Sequence, residues 1–273
     1  INIKENSKIS LKLIHSTEKN QTIFQNNFIN FQKNCKVHLE NEFNFSGNTI
    51  NNINYNNYAY EGAEIQHDVF QKFSNSNKLY LTSNTVCEKN SSFSQNTYNF
   101  AEGFVRNFHF TRLNGAFSKA SLKGCFFLKD KNTFTNKTNI VHNAENCESN
   151  QTYKGILNNY AKANYFSNTF VSENAQKTEG YQLSKGILLT DNCSFFSKPE
   201  LRIFADDVKC SHGSTIGPVD ESALYYLRSR GINKNQAMKM IISSFIEEDL
   251  QKLDNNISER ISINLSEYLE SLT

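Results

Sequence analysis

The first 198 residues are built from short apolar or alternating runs separated by polar, asparagine-rich breaks. Such runs, rich in β-branched and aromatic side chains, are typical of β-strands. No amphipathic helical stretch of about a dozen residues interrupts them, so a sheet of alternating strands and helices is disfavoured. The pattern predicts an all-β core, and its clearest strands are Ile9–Ile14, Lys36–Leu39, Lys78–Leu81, Phe104–Phe110 and Ala163–Val171.

Three all-β architectures fit these strands: a sandwich, a barrel and a β-solenoid. Polar corners rich in Asn and Ser, with apolar strand residues that can stack between successive turns, favour a parallel β-helix slightly. No clean repeat period is visible in the sequence. The residues alone therefore leave all three open.

The pattern becomes helical after Val219, which predicts a core domain over residues 1–218 and a helical domain over 219–273. Asp220 can cap a first helix carrying Leu224 and Leu227, and Gly231 is placed to end it. We expect the apolar stripes of the three helices to pack against one another and against the end of the core. The second helix starts at Asn233 with Ala237, Met240 or Ile241, Phe245 and Leu250, and the third at about Asn256 with Ile257, Ile261, Leu265, Tyr268, Leu269 and Leu272.

Composition limits the classes of partner. A net charge of +2 and a pI near 8.1 give no field that argues for binding nucleic acid or a membrane. No apolar run approaches the roughly 20 residues that span a bilayer, and no N-terminal segment suggests secretion. Six scattered cysteines fit reduced thiols in a cytosol-like compartment.

The stretch Asp206–Gly213 concentrates carboxylates, a thiol and an imidazole. If it is extended, Cys210 and His212 lie on one face of the strand, roughly 6.6 Å apart. A Cys-x-His pair is half of a metal site, since structural zinc takes about four ligands. No Cys-x-x-Cys motif supplies the rest, so either a partner chain completes the site or Cys210 is simply a half-buried thiol beside a surface histidine.

Other candidate chemistry is weak. No nucleophile or oxyanion hole accompanies the carboxylate clusters Asp206–Asp207 and Glu247–Asp249, and the second reads as a solvated helix face. No phosphate-binding loop of the GxxxxGK[ST] type occurs, so the chain should not itself hydrolyse ATP. Single histidines with an expected structural or surface role are His15, His38, His67, His109 and His142.

One segment resembles a known family. Residues 198–232, KPELRIFADDVKCSHGSTIGPVDESALYYLRSRGI, are similar to the C-terminal signature of the SufB/SufD family of iron–sulfur cluster assembly scaffolds. Looser matches upstream follow the order of that family at Val141–Ala144, Tyr153–Leu157, Ala175–Thr178 with Gln182, and Leu188–Leu189.

Two positions favour the SufD branch over SufB. SufB-type sequences resemble Val-Glu-His-Glu-Ala-Thr where this chain has Lys209–Ser214, and Tyr-Cys-x-x-Arg-Gly where it has Tyr226–Gly231. Family members carry a longer N-terminal portion, so we expect a chain beginning at Ile1 to be a fragment or a trimmed version.

The resemblance implies a right-handed parallel β-helix followed by a small C-terminal helical domain. It implies a non-enzymatic scaffold of the SufBCD complex that pairs with SufB and takes the SufC ATPase on its C-terminal helices. His212 would help hold iron or a nascent iron–sulfur cluster shared with SufB, with Cys210 as a second ligand or a metal-responsive thiol. The family also raises FADH2 use by the assembled complex, and a location in the bacterial cytoplasm or the plastid stroma.

Two alternatives stay open at this stage. A β-solenoid enzyme acting on polysaccharide would need a long cleft lined by carboxylates, arginines and aromatics, against which the lack of tryptophan argues. A self-pairing solenoid with two Cys-x-His pairs would make a four-ligand zinc site across its own dimer.

Overall fold

The chain coils into two parallel β-sheets that face each other. The computed structural model describes residues 1–17, 20–73, 77–250 and 255–271, with side chains through 246 and from 255 onward. Odd-numbered strands form an eight-stranded sheet A, and even-numbered strands form an eight-stranded sheet B. Because every strand pairs in parallel with the strand two steps along the chain, the backbone winds through about eight turns of a β-solenoid. The predicted all-β core and solenoid are confirmed.

The element bounds follow this winding. Sheet A contains β1 (Asn2–Ile3), β3 (Gln21–Phe31), β5 (Thr49–Ala59), β7 (Asn77–Cys87), β9 (Gly103–Leu113), β11 (Thr133–His142), β13 (Lys162–Val171) and β15 (Ser194–Ile203). Sheet B contains β2 (Lys8–Thr17), β4 (Lys36–Phe45), β6 (Glu64–Gln71), β8 (Ser92–Asn99), β10 (Lys119–Leu128), β12 (Glu148–Leu157), β14 (Thr178–Leu188) and β16 (Val208–Pro218). The helices are α1 (Glu221–Ser229), α2 (Lys234–Leu250) and α3 (Asn255–Glu270).

The corner that leads from sheet A into sheet B repeats a left-handed backbone conformation. In successive turns, the N–H of each left-handed residue donates to a carbonyl one turn further on, at 3.0 Å from Asn6 to Lys33 and at 2.9 Å from Asn146 to Gln176. Asparagine tolerates this conformation better than most residues, which gives the asparagine-rich breaks a structural role. The residues with positive φ at this corner are Asn6, Asn34, Gly62, Asn90, Phe117, Asn146 and Lys177.

The turn length drifts along the solenoid. Paired residues are 28 positions apart at the start, as in Asn2 and Asn30, and 32 apart near the end, as in Lys162 and Ser194. The stacked interior includes large side chains such as Tyr55, Tyr153 and Phe126, each almost fully buried. Because side chains stack by turn and not by a fixed count, the sequence shows no clean period.

The helical prediction is confirmed in its main features. Asp220 caps α1 by accepting from the N–H groups of Ser222 and Ala223, and Gly231 follows the helix with φ of +87°. Asn233 caps α2 through the N–H of Gln236 at 2.9 Å. The predicted stripe of α3 is buried at Ile257, Ile261, Leu265, Tyr268 and Leu269.

Two details of the helices differ from expectation. Among the described side chains of α2, those of Ala237, Ile242 and Ile246 are buried and that of Met240 is exposed, so the buried stripe is shifted around the helix. The predicted stripe residue Leu272, and the side chains of 247–250 with the predicted stripe residue Leu250 among them, lie outside what the structure describes.

The third helix packs on the outer face of sheet B and not on the end of the solenoid. Its buried residues join a cluster with Phe70, Tyr98 and Phe127 on β6, β8 and β10. The Tyr268 hydroxyl donates to the Leu128 carbonyl at 3.0 Å, and Arg260 donates to Glu42 at 3.1 Å. This side of sheet B carries apolar residues in its middle strands, and burying them decides where α3 lies.

Strand β16 ends at Pro218 and α1 begins at Glu221. The division into domains at residues 218 and 219 stays a prediction. Within the described part of the chain, every helix is too short or too polar to cross a bilayer.

Candidate metal-binding edge

Strand β16 lies at the outer edge of sheet B and carries both predicted site residues. It pairs with β14 on one side only, and β15 likewise ends sheet A. The free edge of a strand presents unpaired N–H and C=O groups, which makes it a template for a strand from another chain. Apolar side chains stay exposed beside this edge at Phe196, Ile203 and Phe204.

Cys210 is half-buried at this edge. It packs against a small cluster of Val171 and Ala175 in the turn beneath and Ala205 at the preceding corner. Burial raises the pKa of the Cys210 thiol, against a smaller lowering by a hydrogen bond with the Gly180 backbone. The thiol is therefore protonated at neutral pH, and a metal would have to displace that proton to bind the sulfur.

His212 lies two residues along from Cys210 and is exposed. The pleat of the strand gives both side chains the same face, as the sequence predicts. Directly beneath His212 in register is Gln182 on β14. The Gln182 amide donates to Thr169 at 2.7 Å and to the Glu200 carbonyl at 3.1 Å, and accepts from Ser167 at 3.0 Å.

This network under His212 is what sequence reasoning missed. Through these hydrogen bonds Gln182 links β14 to β13 and β15, and so holds together the strands that lie next to His212. The sequence does contain a sign that Gln182 lies under His212: the two residues are 30 positions apart, which is the length of this turn of the solenoid. This separation can be interpreted only when the register between the turns is known.

The ligand set is incomplete. Among the described residues, no group of three or more His, Cys, Asp or Glu side chains is arranged to hold a metal ion. Asp206 and Asp207 are exposed, and the described contacts of Asp207 are made by its backbone: its carbonyl accepts from the Lys177 N–H, and its N–H donates to the Gln176 side-chain oxygen. The edge thus offers two ligands on one face, which is half of a metal site.

The remaining histidines have structural contacts, as expected, and the buried His67 packs its ring against Tyr55 and Phe93, although neither of its ring nitrogens has a described hydrogen-bond partner. His142 bonds to the Ser149 hydroxyl at 2.8 Å, and burial lowers the pKa of His142 to about 4. His15 contacts the Tyr55 hydroxyl at 2.7 Å, and His38 pairs with the buried Asp68 at 2.8 Å. His109 bonds to Gln95 inside the solenoid at 3.1 Å.

The polysaccharide alternative needs arginines, and every arginine of the described strands lies on the outer face of sheet A. This face carries arginines and aromatics, but the outward positions of its described strands contain one carboxylate, Glu200. Arg202 donates two hydrogen bonds to that carboxylate, at 2.9 and 2.7 Å. Hydrolysis of a glycosidic bond usually uses two carboxylates, so this face does not favour the polysaccharide alternative.

The first helix leaves its aromatic residues in solvent. None of its residues is buried, and Tyr225 and Tyr226 are 77% and 58% exposed. Only Val219 and Asp220 separate it from the edge strand that carries His212. A protein that bound α1 would therefore lie close in sequence to the candidate site.

Comparison with known proteins gives a consistent result. The family described as "SUF system FeS cluster assembly, SufBD core domain" matches residues 13–245. "Iron-sulfur cluster assembly protein SufD" of Escherichia coli is 33% identical over 160 residues, covering 58% of this chain and 38% of that protein.

Two further relatives extend the comparison. An iron–sulfur cluster assembly SufBD family protein of Synechocystis is 30% identical over 205 residues, covering 75% of this chain and 45% of the relative. The protein ABCI7, chloroplastic, of Arabidopsis thaliana is 39% identical over 108 residues, covering 39% of this chain and 23% of the relative. The chain spans less than half the length of each of these relatives.

Proposed function

The chain belongs to the SufBD core family of iron–sulfur cluster assembly proteins, and from this premise we propose that it is a non-enzymatic SufD-type scaffold subunit. In this role it pairs with SufB and takes the SufC ATPase. The names of its relatives support the assembly role. The partners are inferred from family resemblance, because a shared fold does not by itself transfer function.

The observation that carries the proposal is the Cys210–His212 pair on the free edge strand β16. Pairing of a SufB strand with this edge would bring further ligands to the exposed face of His212. Iron or a nascent cluster is the cargo of that junction, and the His212 imidazole helps to hold it beside a thiolate and a carboxylate from SufB. Cys210 serves as a second ligand or as a metal-responsive thiol.

Docking of SufC on the C-terminal helices is supported by the exposure of α1. Tyr225 and Tyr226 offer aromatic surface of the kind that dominates binding at protein interfaces. Because two residues join α1 to β16, force applied to α1 reaches the edge strand with little slack. ATP-driven dimerisation of SufC would then open the junction with SufB.

Two parts of the proposal rest on the family alone. FADH2 would serve the assembled complex as a reductant. The compartment is the cytoplasm or the plastid stroma, and the chloroplastic relative in Arabidopsis thaliana is compatible with the second.

Co-expression with matching SufB and SufC, followed by anaerobic loading with iron and sulfide, tests the proposal. We expect a stable ternary complex whose visible cluster absorbance is lost in His212→Ala. Ser211→Ala is the matched control, because Ser211 is exposed on the same strand but faces the opposite side.

The outcomes separate the parts of the proposal. Normal cluster absorbance in His212→Ala would show that His212 is not a ligand. Failure of the chain to bind SufB and SufC would remove the scaffold role, and a zinc-dependent homodimer would favour the self-pairing alternative. Equal loss in both variants would indicate damage to the strand and not loss of a ligand.

A further inference from the structure

The outer face of sheet A carries cations that carboxylates do not neutralise. Its outward positions on β7 to β15 contain seven lysines and arginines but one carboxylate, Glu200, already paired with Arg202. Within the described salt bridges, Arg202 is the only one of the seven that takes part. The seven cations are Lys78, Arg106, Arg112, Lys137, Lys162, Lys198 and Arg202.

Sheet B handles its outward charges differently. Lys12, Lys36, Lys119 and Lys209 pair with carboxylates one turn away, as in Lys36 with Glu64 at 2.8 Å and Lys119 with Glu148 at 2.9 Å. The outer face of sheet B thus carries charges of both signs, whereas that of sheet A carries mainly cations. The net charge of +2 hides this asymmetry, because it sums over both faces.

Aromatic side chains lie between the cations of sheet A. The Arg112 guanidinium stands 4.2 Å from the centre of the Phe110 ring, and the Lys137 ammonium 5.5 Å from that of Phe108. Such contacts hold the cationic groups in place without cancelling their charge. Lys137, Lys198 and Arg202 also line a cavity of about 330 Å³ on this face.

The β3 end of the same face is uncharged and carries large exposed apolar side chains among asparagines. Phe24 and Phe28 point outward from β3 and are 76% and 63% exposed, and Ile50 adjoins them on β5. None of the described helices covers this face, since their buried residues pack on sheet B. Large exposed apolar side chains beside unneutralised charge mark an interaction surface.

We propose that the outer face of sheet A binds an acidic polypeptide segment of a partner protein, with apolar residues of that segment over Phe24 and Phe28 and its carboxylates over β9 to β15. At about 4.8 Å per strand, the seven strands β3 to β15 span roughly 30 Å. An extended segment of about nine or ten residues crosses that distance.

The arrangement favours a polypeptide over a single-stranded nucleic acid. A nucleic acid repeats phosphate and base at every step, so its binding surface interleaves cations with exposed aromatic platforms along one track. On sheet A the rings of Phe108 and Phe110 among the cations are partly buried, and Phe196 on β15 is an exposed ring beside cations. The two most exposed rings lie on β3, two strands away from the nearest outward cation, Lys78 on β7. The cations also spread in two dimensions, along the strands and across them.

Fluorescence anisotropy of the wild-type chain with three labelled probes tests the proposal. One probe is a peptide of about 16 residues with Leu and Phe at one end and Glu at the other, the second is its Gln-for-Glu counterpart, and the third is an oligothymidylate of about the same length. We expect the acidic peptide to bind most tightly, and its affinity to fall as salt rises.

Two matched triple variants assign the binding to the face. Arg106→Gln, Lys137→Gln and Lys198→Gln together should weaken binding of the acidic peptide on the order of tenfold. The control removes three exposed or half-exposed lysines of sheet B that have no described salt bridge, and should change the affinity by less than about twofold. The control substitutions are Lys8→Gln, Lys123→Gln and Lys185→Gln.

A further variant tests whether apolar residues of the segment lie over Phe24 and Phe28. Phe24→Ser with Phe28→Ser should weaken binding while leaving its salt dependence unchanged, because it removes apolar contact and no charge. If the sheet A and sheet B triple variants weakened peptide binding equally, the effect would come from net charge alone, and the proposal would be overturned. Absence of peptide binding, or tighter binding of the oligothymidylate, would overturn it as well.

Discussion

Substitution of Gly155 by alanine should destabilise the solenoid, because the ring of Phe126 occupies the space that a Cβ would need. The two residues are register partners on β12 and β10. A Cβ built at Gly155 lies 2.3 Å from two atoms of that ring. Carbon atoms in contact are about 3.5–4.0 Å apart, so the ring must move by more than about 1 Å.

The ring has little room to move. Phe126 stacks on Phe134 at 4.6 Å and meets Phe195 edge-on at 5.1 Å, and it is almost fully buried. Overpacking of this kind costs about 1–3 kcal/mol. A loss of about 2 kcal/mol lowers the melting temperature of a chain of this size by about 4–8 °C.

Thermal unfolding followed by circular dichroism measures the shift. Gly217→Ala is the matched control, because a Cβ at that strand glycine meets nothing within 4 Å, and it should leave the melting temperature unchanged or slightly raised. Adding Phe126→Leu to Gly155→Ala should cost less than the sum of the two changes. A melting temperature unchanged by Gly155→Ala, or strictly additive effects in the double variant, would refute the reasoning.

Three further predictions concern titration, the corners and the helices. Burial lowers the pKa of three histidines well below the unfolded value of 6.5, so the unfolded state binds more protons below that pH, and stability present above pH 6.5 should fall as pH drops toward 4. The pKa is lowered to about 3 for His67 and to about 4 for His109 and His142, and burial also lowers the pKa of His15. Urea midpoints measured between pH 7.5 and 5.5 should show this fall, His142→Gln should make it shallower, and a flat profile would contradict it. Asn90→Ala, at φ of 58°, should cost about 1–2 kcal/mol in unfolding free energy while Asn90→Gly is neutral, and equal melting temperatures would count against the corner argument. Tyr225→Ser with Tyr226→Ser should reduce retention of SufC on co-purification, whereas Ile263→Ser on the exposed side of α3 should not, and loss in both would point away from α1.

Much of the local structure follows from the sequence because its causes are local. Alternation places Phe104–Phe110 on a strand, and Asp220 and Gly231 delimit α1 through hydrogen bonds and backbone conformation within a few residues. The pair Cys210 and His212 is likewise readable, since a strand puts alternate residues on one face. These conclusions need no knowledge of what packs against the segment.

The register between successive turns of the solenoid could not be predicted from the sequence. Turn length varies between 26 and 32 residues, so the register that sets Gln182 beneath His212 cannot be counted from one end of the chain. The same register pairs Lys209 with Glu179 on sheet B and leaves Arg106 without a carboxylate on sheet A. Net charge and composition average over both faces and cannot separate them.

The sequence by itself determined the strands, the helix limits and the candidate ligands, because neighbours along the chain decide these. Only the tertiary structure decided that Cys210 is half-buried while His212 is exposed, and that α3 packs on the middle of sheet B. It also decided that the uncompensated cations share one face. Each of these depends on which turns stack, and stacking is set by the burial of side chains far apart in the chain, such as Phe126, Phe134 and Phe195.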